Sequence, residues 1–581
     1  MIATYKLSIA ESLAQVLGCA PADLLIHIQS CPPQVEGDFS YACFALAKEQ
    51  KKSPLHIAQE LSKTCPLPQG FSRIIVAGAY VNFCIDRDEF SRSLLKNIFE
   101  KGHHYGKSEI GAGKTVVIDY SSPNLGKELA FHHLRGTMLG NSLAHIFTDC
   151  GYQVVRVNHL GDWGTSYGKL MVMVLRENPT ISAAELPALT ISDLNLLYQK
   201  FTQALTDDPD LENLARDAFA RLERAEEPYV SLWKAFRATT LSELNRIYNL
   251  LGVGFDDTRG ESFFIEDSKL LTQKLIDQGL ARESEGALIV PMDDDTLPPL
   301  LLRKKDGSTL YATRDLSAAL FRNKEYHFDA NLYIVDNGQA LHFKQCFSVL
   351  NKMGCDFVDK CEHIPFGLIL NKNAEGKWEK GKTRAGQASL LRDVLEKATD
   401  KIESIILEKN PSLIDRRATA QKIAVGALVF NDLKNKRLGD VKFEWDAVLS
   451  FEGDTGPYIQ NALVRLSSIM RKSSYGLNLA EHLSTHIPHL KLEVLSEATT
   501  QSLMDSLAIW PQKTKEAAQL REPSVLGQYA LELAEKSHAF IHNCRILGSD
   551  FEQERLLLVY CTHQVLGGVL EQLGVPLIEA M

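Results

Sequence analysis

The stretch VVIDYSSPNLGKELAFHHLRGTMLGNSLAHIFTDCGYQVVRV, Val116 to Val157, decides the fold. It opens with a short buried-strand run, VVIDY (Val116 to Tyr120), crosses a polar turn, and closes with a second run, QVVRV (Gln153 to Val157). Between them Leu134, Met138, Leu139, Leu143, Ile146 and Phe147 recur at helical spacing, and Gly151 stands where a C-terminal cap belongs. This predicts a helix from about His132 to Cys150. Strand, helix, strand is a βαβ unit, which implies a parallel sheet with a right-handed crossover.

The same pattern returns further on. NLYIVD (Asn331 to Asp336) and HIPFGLIL (His363 to Leu370) read as strands, with the helix ALHFKQCFSVLNKMG (Ala340 to Gly354) between them. The segment from Met171 to Leu251 is helical and charge-rich, and LLLRKKDGSTLYATR (Leu300 to Arg314) reads as a hairpin turning at Asp306-Gly307. One α/β sheet is therefore expected, split by an insertion over about 170–305. That is too long for a plain connection and predicts a domain or a functional element.

Before the sheet, helix patterns at Tyr41 to Ala47 and Ile57 to Leu61 and a strand-like run from Arg73 to Ile85 predict a small α+β domain, residues 1–107. Lys101 to Lys114, rich in Gly, His and Lys, reads as a linker. The α/β domain spans 108–415. From 416 to 581 long amphipathic helices, such as Tyr458 to Lys472 and Glu554 to Gly574, predict a bundle.

Composition bounds the function. The 581 residues carry 63 Lys+Arg against 73 Asp+Glu, a net charge of −10, with 45% hydrophobic and 23% charged residues. This is a globular composition and excludes a fibre or a disordered tail. The most apolar long stretch, Leu556 to Ile578, is broken by His563, Gln564, Glu571 and Gln572, so no membrane span is expected. The N-terminus lacks the pattern of a secretory signal, which predicts a cytoplasmic protein. Eleven cysteines without a Cys-x2-Cys pair predict reduced thiols and no metal site. A pI of about 6.0 argues against a protein that coats nucleic acid, so no DNA partner is expected; a shaped RNA-binding face remains open.

Four clusters carry candidate chemistry. SSPNLGKELAFHHLRG (Ser121 to Gly136) lies at the carboxyl end of a parallel strand and at a helix N-terminus, where open α/β sheets bind ligands and backbone N–H groups favour anions. Lys127, His132, His133 and Arg135 crowd donors there, which suits a polyphosphate. NHLGDWGTSYG (Asn158 to Gly168) offers His159, Asp162 and Thr165; alone it reads equally as a structural turn pinned by Trp163. YATRD (Tyr311 to Asp315) puts a phenol and a carboxylate four residues apart, on one face if helical, while Asp315 as an N-cap is the competing reading. NKNAEGKWEKGKTRAG (Asn371 to Gly386) is a cationic loop able to close over phosphates, or an exposed hairpin with snorkelling lysines.

Taken in order with SFEGDTGPYIQNALVRL (Ser450 to Leu466), these segments resemble class I arginyl-tRNA synthetases over the whole chain, from GDFSYACFALAK (Gly37 to Lys48) and AYVNF (Ala79 to Phe83) to LGVPLIEAM at the end. The resemblance implies a Rossmann-like catalytic domain with an insertion, an N-terminal tRNA-binding α+β domain and an all-α anticodon-binding bundle. It implies a monomer that joins arginine to ATP with Mg2+, releases pyrophosphate, and passes the arginyl group to its tRNA, with adenylation dependent on that tRNA. It further implies that Asn124 and Gln339 hold arginine's α-amino end, that Ser122 belongs to the arginine site, and that Asp119, Tyr311 and Asp315 receive the guanidinium. A planar fork of donors wants carboxylates in fixed places, and a lysine would leave part of that set unpaired. Lys127, His133, His342, Lys382 and Arg384 are implied on ATP, and Tyr458, Asn461 and Arg465 on the anticodon loop, where aromatic stacking and arginine contacts read splayed bases.

One signature departs from the family. His-x-Gly-His aligns with Ala130, Phe131, His132 and His133, so the first His is Ala130 and the Gly is His132. Loss of one charge-assisted donor to a transition state costs roughly 2 to 4 kcal/mol. Either His132 turns to the phosphates and replaces the missing imidazole, with Lys127 supplying the cation, or adenylation is lost or redirected. A nucleotide-binding Rossmann enzyme without RNA is the reading from another class.

Overall fold

The computed structural model describes every residue except 1, 33, 182–184, 186–188, 295, 305–310, 373–374 and 381–388, and the side chains of Tyr311, Lys380, Pro488 and Glu493. Residues 1–106, 465–512 and 532–568 form one compact unit; residues 107–464, 513–531 and 569–581 form a second.

In the first unit β1 (Ile28–Ser30), β2 (Phe39–Ala42), β3 (Phe71–Ala77) and β4 (Tyr80–Ile85) make an antiparallel sheet in the order β1-β2-β4-β3. The helix expected from Tyr41 is a strand followed by helix Phe44–Gln50, because Phe39 and Tyr41 are buried at a period of two. The run Arg73 to Ile85 is two strands folded back at Gly78. Helices from the end of the chain share this unit's core: Arg87 donates to Asp505 at 2.7 Å and pairs with Asp38, and Cys561 Sγ lies 3.4 Å from Leu95 O.

The second unit is built on a parallel sheet. β5 (Thr115–Asp119) pairs with β6 (Gln153–Val157) through the crossover helix His133–Asp149, as the pattern predicts. An antiparallel side sheet follows: β7 (Arg282–Ser284), β8 (Ala287–Val290) and β9 (Leu300–Arg303). β10 (Ala330–Asp336) then lies on the other side of β5, with β11 (Cys361–Phe366) beyond it, giving the order β11-β10-β5-β6. The chain thus reverses its direction of travel across the sheet between β5 and β10, which opens a crevice at their carboxyl ends. The side sheet is not detached, since Leu288, Val290, Leu300 and Leu302 share a core with Val117, Val157 and Phe357.

Two sequence expectations fail here for identifiable reasons. His363 to Leu370 is not one strand: after β11 the chain turns at Gly367, whose N–H donates to Arg437 O at 2.8 Å, and β12 (Ile369–Lys372) joins β13 (Trp378–Lys380) and β14 (Val441–Phe443) in another sheet. A uniformly apolar run carries no signal of that break. The hairpin expected over Leu300 to Arg314 has its turn outside the described residues, and its return strand is instead the start of helix Tyr311–Tyr326. Asp315 therefore sits inside a helix and is not its N-cap. Among the described residues no helix is long and apolar enough to cross a membrane.

The crossover helix approaches β5 closely at Gly140, where a Cβ would lie 2.2 Å from Tyr120 Cγ, and the Tyr120 ring is fully buried. Gly140→Ala is expected to destabilise this unit by about 1–3 kcal/mol through overpacking. A urea midpoint equal to that of the unaltered protein would show that the ring moves aside freely.

Candidate active site

Beyond β5 the backbone turns through two consecutive left-handed serines, Ser121 (φ 67°) and Ser122 (φ 43°). Such conformations cost about 1–3 kcal/mol each for non-glycine residues and persist where surroundings enforce them. Ser122 N–H donates to Asn158 Oδ1 at 3.0 Å and its hydroxyl to Asp119 at 2.7 Å. Ser121 shares a 2.8 Å hydrogen bond with Tyr248, and Thr137 donates to Ser121 at 2.8 Å. Tyr248 belongs to helix Tyr229–Leu251, so the insertion braces this turn. Pro123 and Leu125 then exchange backbone hydrogen bonds with Gly161 at 3.0 Å each, and a Cβ on Gly161 would lie 2.1 Å from Asn124 Oδ1. Gly161 is what lets Asn124 stand beside the second cluster.

These residues border a cavity of about 490 Å³ at the carboxyl ends of β5 and β10. Asp119, Ser122, Asn124, His132, His133, Asp315, Gln339 and His342 all line it, as the sequence expectation requires. The lining also includes His159, a polar member of the second cluster, and Glu261 and Arg322, which had no place in that expectation. Arg322 lies seven residues after Asp315 on one helix, so it shares its face; that spacing was the available signal. Glu261 is distant in sequence from every motif and carried none.

The acids of the cavity have different partners. Asp119 meets Arg322 Nη2 at 2.8 Å with both side chains nearly inaccessible, and Arg322 is held above its usual range by that carboxylate. Glu261 meets Arg314 at 2.7 Å; burial outweighs the pairing and pushes its carboxyl up to about 7. Asp315 accepts from His342 Nε2 at 2.7 Å. Burial raises its carboxyl, but that hydrogen bond, with His159 and Arg314 nearby, outweighs it and holds Asp315 below the usual carboxylate range.

The second cluster divides. Asp162 is fully buried and structural: it accepts from Arg237 at 2.9 Å and from Ser262 N–H and Oγ at 2.8 and 2.7 Å, while Trp163 packs edge-on against Phe219 and Trp233. His159 and Gly161 of this cluster line the cavity.

The altered signature stands at the helix entrance. His133 Nδ1 sits 3.0 Å from Ala130 N and 3.1 Å from Ala130 O, so the backbone of Ala130 holds the ring in place. His132 is exposed, and its ring centroid lies 4.2 Å from that of His133. Phe131 N–H donates to Ser389 O at 2.7 Å and Leu391 N–H to Leu129 O at 2.8 Å, so the signature pairs with the backbone of residues 389–391. Lys382 and Arg384 of that loop, like the side chain of Tyr311, lie outside the described residues. Lys127 is not in the cavity: its Nζ sits 4.0 Å over the Tyr198 ring. Arg135 corrects the expected cation cluster, because it is buried and turned away, donating to Arg437 O and Gly439 O at 2.8 Å and pairing with Asp432 at 3.3 Å. Helix Gly456–Lys472 carries Tyr458, Asn461 and Arg465 at i, i+3 and i+7, the spacing of one helical face, and Arg465 contacts His538 at 2.8 Å.

His133 is lowered to about 4, mainly by burial and then by His132. An unburied histidine titrates near ~6.5, so between ~6.5 and about 4 the fold binds fewer protons than the unfolded chain and loses stability as pH falls through that window. The expected outcome is a ring NMR titration of His133 close to 4, and in His133→Gln an acid-stability slope shallower by up to ~1.4 kcal/mol per pH unit. A titration near ~6.5 would mean a solvated ring.

Comparison with known proteins places the whole chain. "Arginyl tRNA synthetase N terminal domain" matches residues 3–85, "tRNA synthetases class I (R), catalytic domain" residues 94–445, and "DALR anticodon binding domain" residues 459–581. Over 580 residues, 99% of this chain and 100% of each relative, identity is 38% to an arginine–tRNA ligase of Alkaliphilus metalliredigens and 40% to arginine–tRNA ligase 1 of Bacillus cereus. The arginyl-tRNA synthetase structure from Plasmodium falciparum gives a TM-score of 0.79 at 23% identity, covering 100% of this chain and 98% of that one. The Thermus thermophilus enzyme gives 0.75 at 24%, covering 100% and 99%. The structural likeness fixes the fold; the identity over full length fixes the lineage, and this chain belongs to the class I arginyl-tRNA synthetase family.

Proposed function

We propose that the cavity joins arginine to ATP and that the chain delivers the product to tRNA. The arginine carboxylate attacks the α-phosphorus, the bond to the β-phosphate oxygen breaks, and pyrophosphate leaves. A ribose hydroxyl of the tRNA's terminal adenosine then attacks the arginyl carbonyl and AMP leaves. The observation that carries this reading is Asp315: an ionised carboxylate at a sheet crevice whose near partners at 2.7 and 3.6 Å are imidazoles, so its charge is left for an incoming guanidinium. Asp119 bounds the same subsite; Ser122 and Arg322 each engage one of its oxygens, and lone pairs remain on both. Tyr311 opens the helix that carries Asp315. Asn124, Ser122 and Gln339 take the α-amino end.

His133, beside the N-terminus of the crossover helix, donates a ring N–H to a phosphate oxygen, an arrangement that favours anions. His132, exposed next to it, supplies the donor that Ala130 lacks. Lys127 adds a cation after leaving the Tyr198 ring. Lys382 and Arg384 are assigned to the phosphates on the family pattern alone. His342 is reassigned from ATP to Asp315, because its Nε2 lies 2.7 Å from that carboxylate. Mg2+ is assigned to the phosphates of ATP. Tyr458, Asn461 and Arg465 are assigned to the anticodon loop, and the enzyme is taken to be a cytoplasmic monomer. No observation favours lost or redirected adenylation; both curated relatives named above are arginine–tRNA ligases.

Arginine-dependent ATP–pyrophosphate exchange tests the reading. Exchange is expected only when tRNA is added, and Asp315→Asn is expected to raise the arginine KM by about 10- to 150-fold, the worth of a hydrogen bond to a charged group. His132→Ala is expected to slow exchange about 100-fold. Absent exchange with tRNA still bound would sink the proposal, and an unchanged His132→Ala rate would remove that residue from it.

A further inference from the structure

His159 is the residue of the cavity whose state the reading above leaves unexplained. Its side chain is 11% exposed, and neither ring nitrogen has a hydrogen-bond partner although both are buried. Leaving a buried polar group unpaired costs about 1–3 kcal/mol, and native structures rarely keep one without a use. The ring is held in place: His159 N–H donates to Ser122 Oγ at 3.2 Å, the preceding Asn158 holds the left-handed turn, and Phe264 flanks the imidazole at 5.7 Å. It lines the same cavity as Asp315, with Nε2 3.6 Å from Asp315 Oδ1. That separation is too long for a direct hydrogen bond.

The neighbouring charges leave this pair as the unfilled part of the wall. Asp119 faces Arg322 and Glu261 faces Arg314, each a carboxylate beside a permanent cation. Asp336, lining the cavity from the end of β10, accepts from Gly338 N–H at 2.8 Å. Asp315 has His342 on one oxygen and His159 short of contact on the other.

We propose that His159 is a specificity-determining residue of the arginine subsite. One N–H of the substrate guanidinium is donated to Asp315 Oδ1 and a second to the unprotonated nitrogen of His159, which closes the 3.6 Å gap with a planar fork. A lysine ammonium presents its donors from one point and leaves part of this acceptor set unpaired, which a site built for hydrogen bonds penalises. The inference rests on the reading that the guanidinium reaches Asp315.

The test compares His159→Gln, which keeps an acceptor, with His159→Met, of similar length and without one, in tRNA-dependent pyrophosphate exchange. His159→Met is expected to raise the arginine KM about 10- to 100-fold, with the ATP KM and kcat little changed, while His159→Gln recovers most of the loss. An unchanged arginine KM in His159→Met, or an equal rise in both variants, overturns the proposal; so does a change that falls on ATP, the mark of a structural role. Asp315→Asn separates the two ideas: if it leaves the arginine KM unchanged, the guanidinium reading itself fails, and if it alone raises KM, only the role of His159 falls. Should either His159 variant not fold, ring NMR of the unaltered protein bound to tRNA decides. Arginine must shift the His159 resonances, and no shift at saturation overturns the inference.

Discussion

The contact between Asp119 and Arg322 joins parts of the chain 203 residues apart, at 2.8 Å and nearly out of solvent. β5 ends at Asp119, and Arg322 stands on the helix that leads into β10, so the pair spans the seam where the parallel sheet reverses its order. A buried ion pair of this kind contributes little net stability against a well-packed apolar pair, yet removing one partner costs about 3–5 kcal/mol. Its weight here is geometric. It fixes one wall of the crevice, and with Ser122 bonded to the other oxygen of Asp119 it also helps hold the strained turn from which Asn124 and the crossover helix start.

Around that seam the fold sorts its charges by permanence. Arginines stand beside Asp119 and Glu261, whereas Asp315 has imidazoles. Guanidinium groups stay charged at any working pH, while an imidazole is neutral over much of it. The acids with arginine partners therefore shape the cavity, and Asp315, which has no arginine within ion-pair distance among the described residues, offers its charge to a ligand. The helix entrance follows the opposite logic: the half-buried imidazole of His133 at a helix start makes an anion side without a permanent charge inside it. A cavity with a carboxylate at one end and donors at the other suits a cationic amino acid laid against a polyphosphate.

The insertion is less separate than its length suggested. It sends Tyr248 to the Ser121 turn, Arg237 and Trp233 to Asp162, and Glu261 to the cavity wall, and its side sheet lies in the core of the parallel one. None of these links has a local signature, because the partners lie about 50 to 130 residues apart in the polar contacts and the side sheet packs against strands at least as distant in sequence. Local patterns also misled where they were ambiguous. The apolar run after β10 does not record that it changes sheets at Gly367, and Arg135 reads as one more cation of the loop although it is buried against backbone carbonyls.

By itself the sequence determined the βαβ unit, the split sheet and the polar turn with His132 and His133; the family resemblance added Asp119, Ser122, Asn124, Asp315, Gln339 and His342, and all eight reach one cavity. Hydrophobic period and the position of a polar turn at a strand end are local properties, and they survive folding. Tertiary structure alone decided which of these side chains are already engaged. Arg322 on Asp119, His342 on Asp315, Lys127 over Tyr198 and the unpaired His159 depend on where distant segments come to rest. Hydrogen bonding and charge pairing act over a few ångströms in space, a distance that spacing along the chain does not encode.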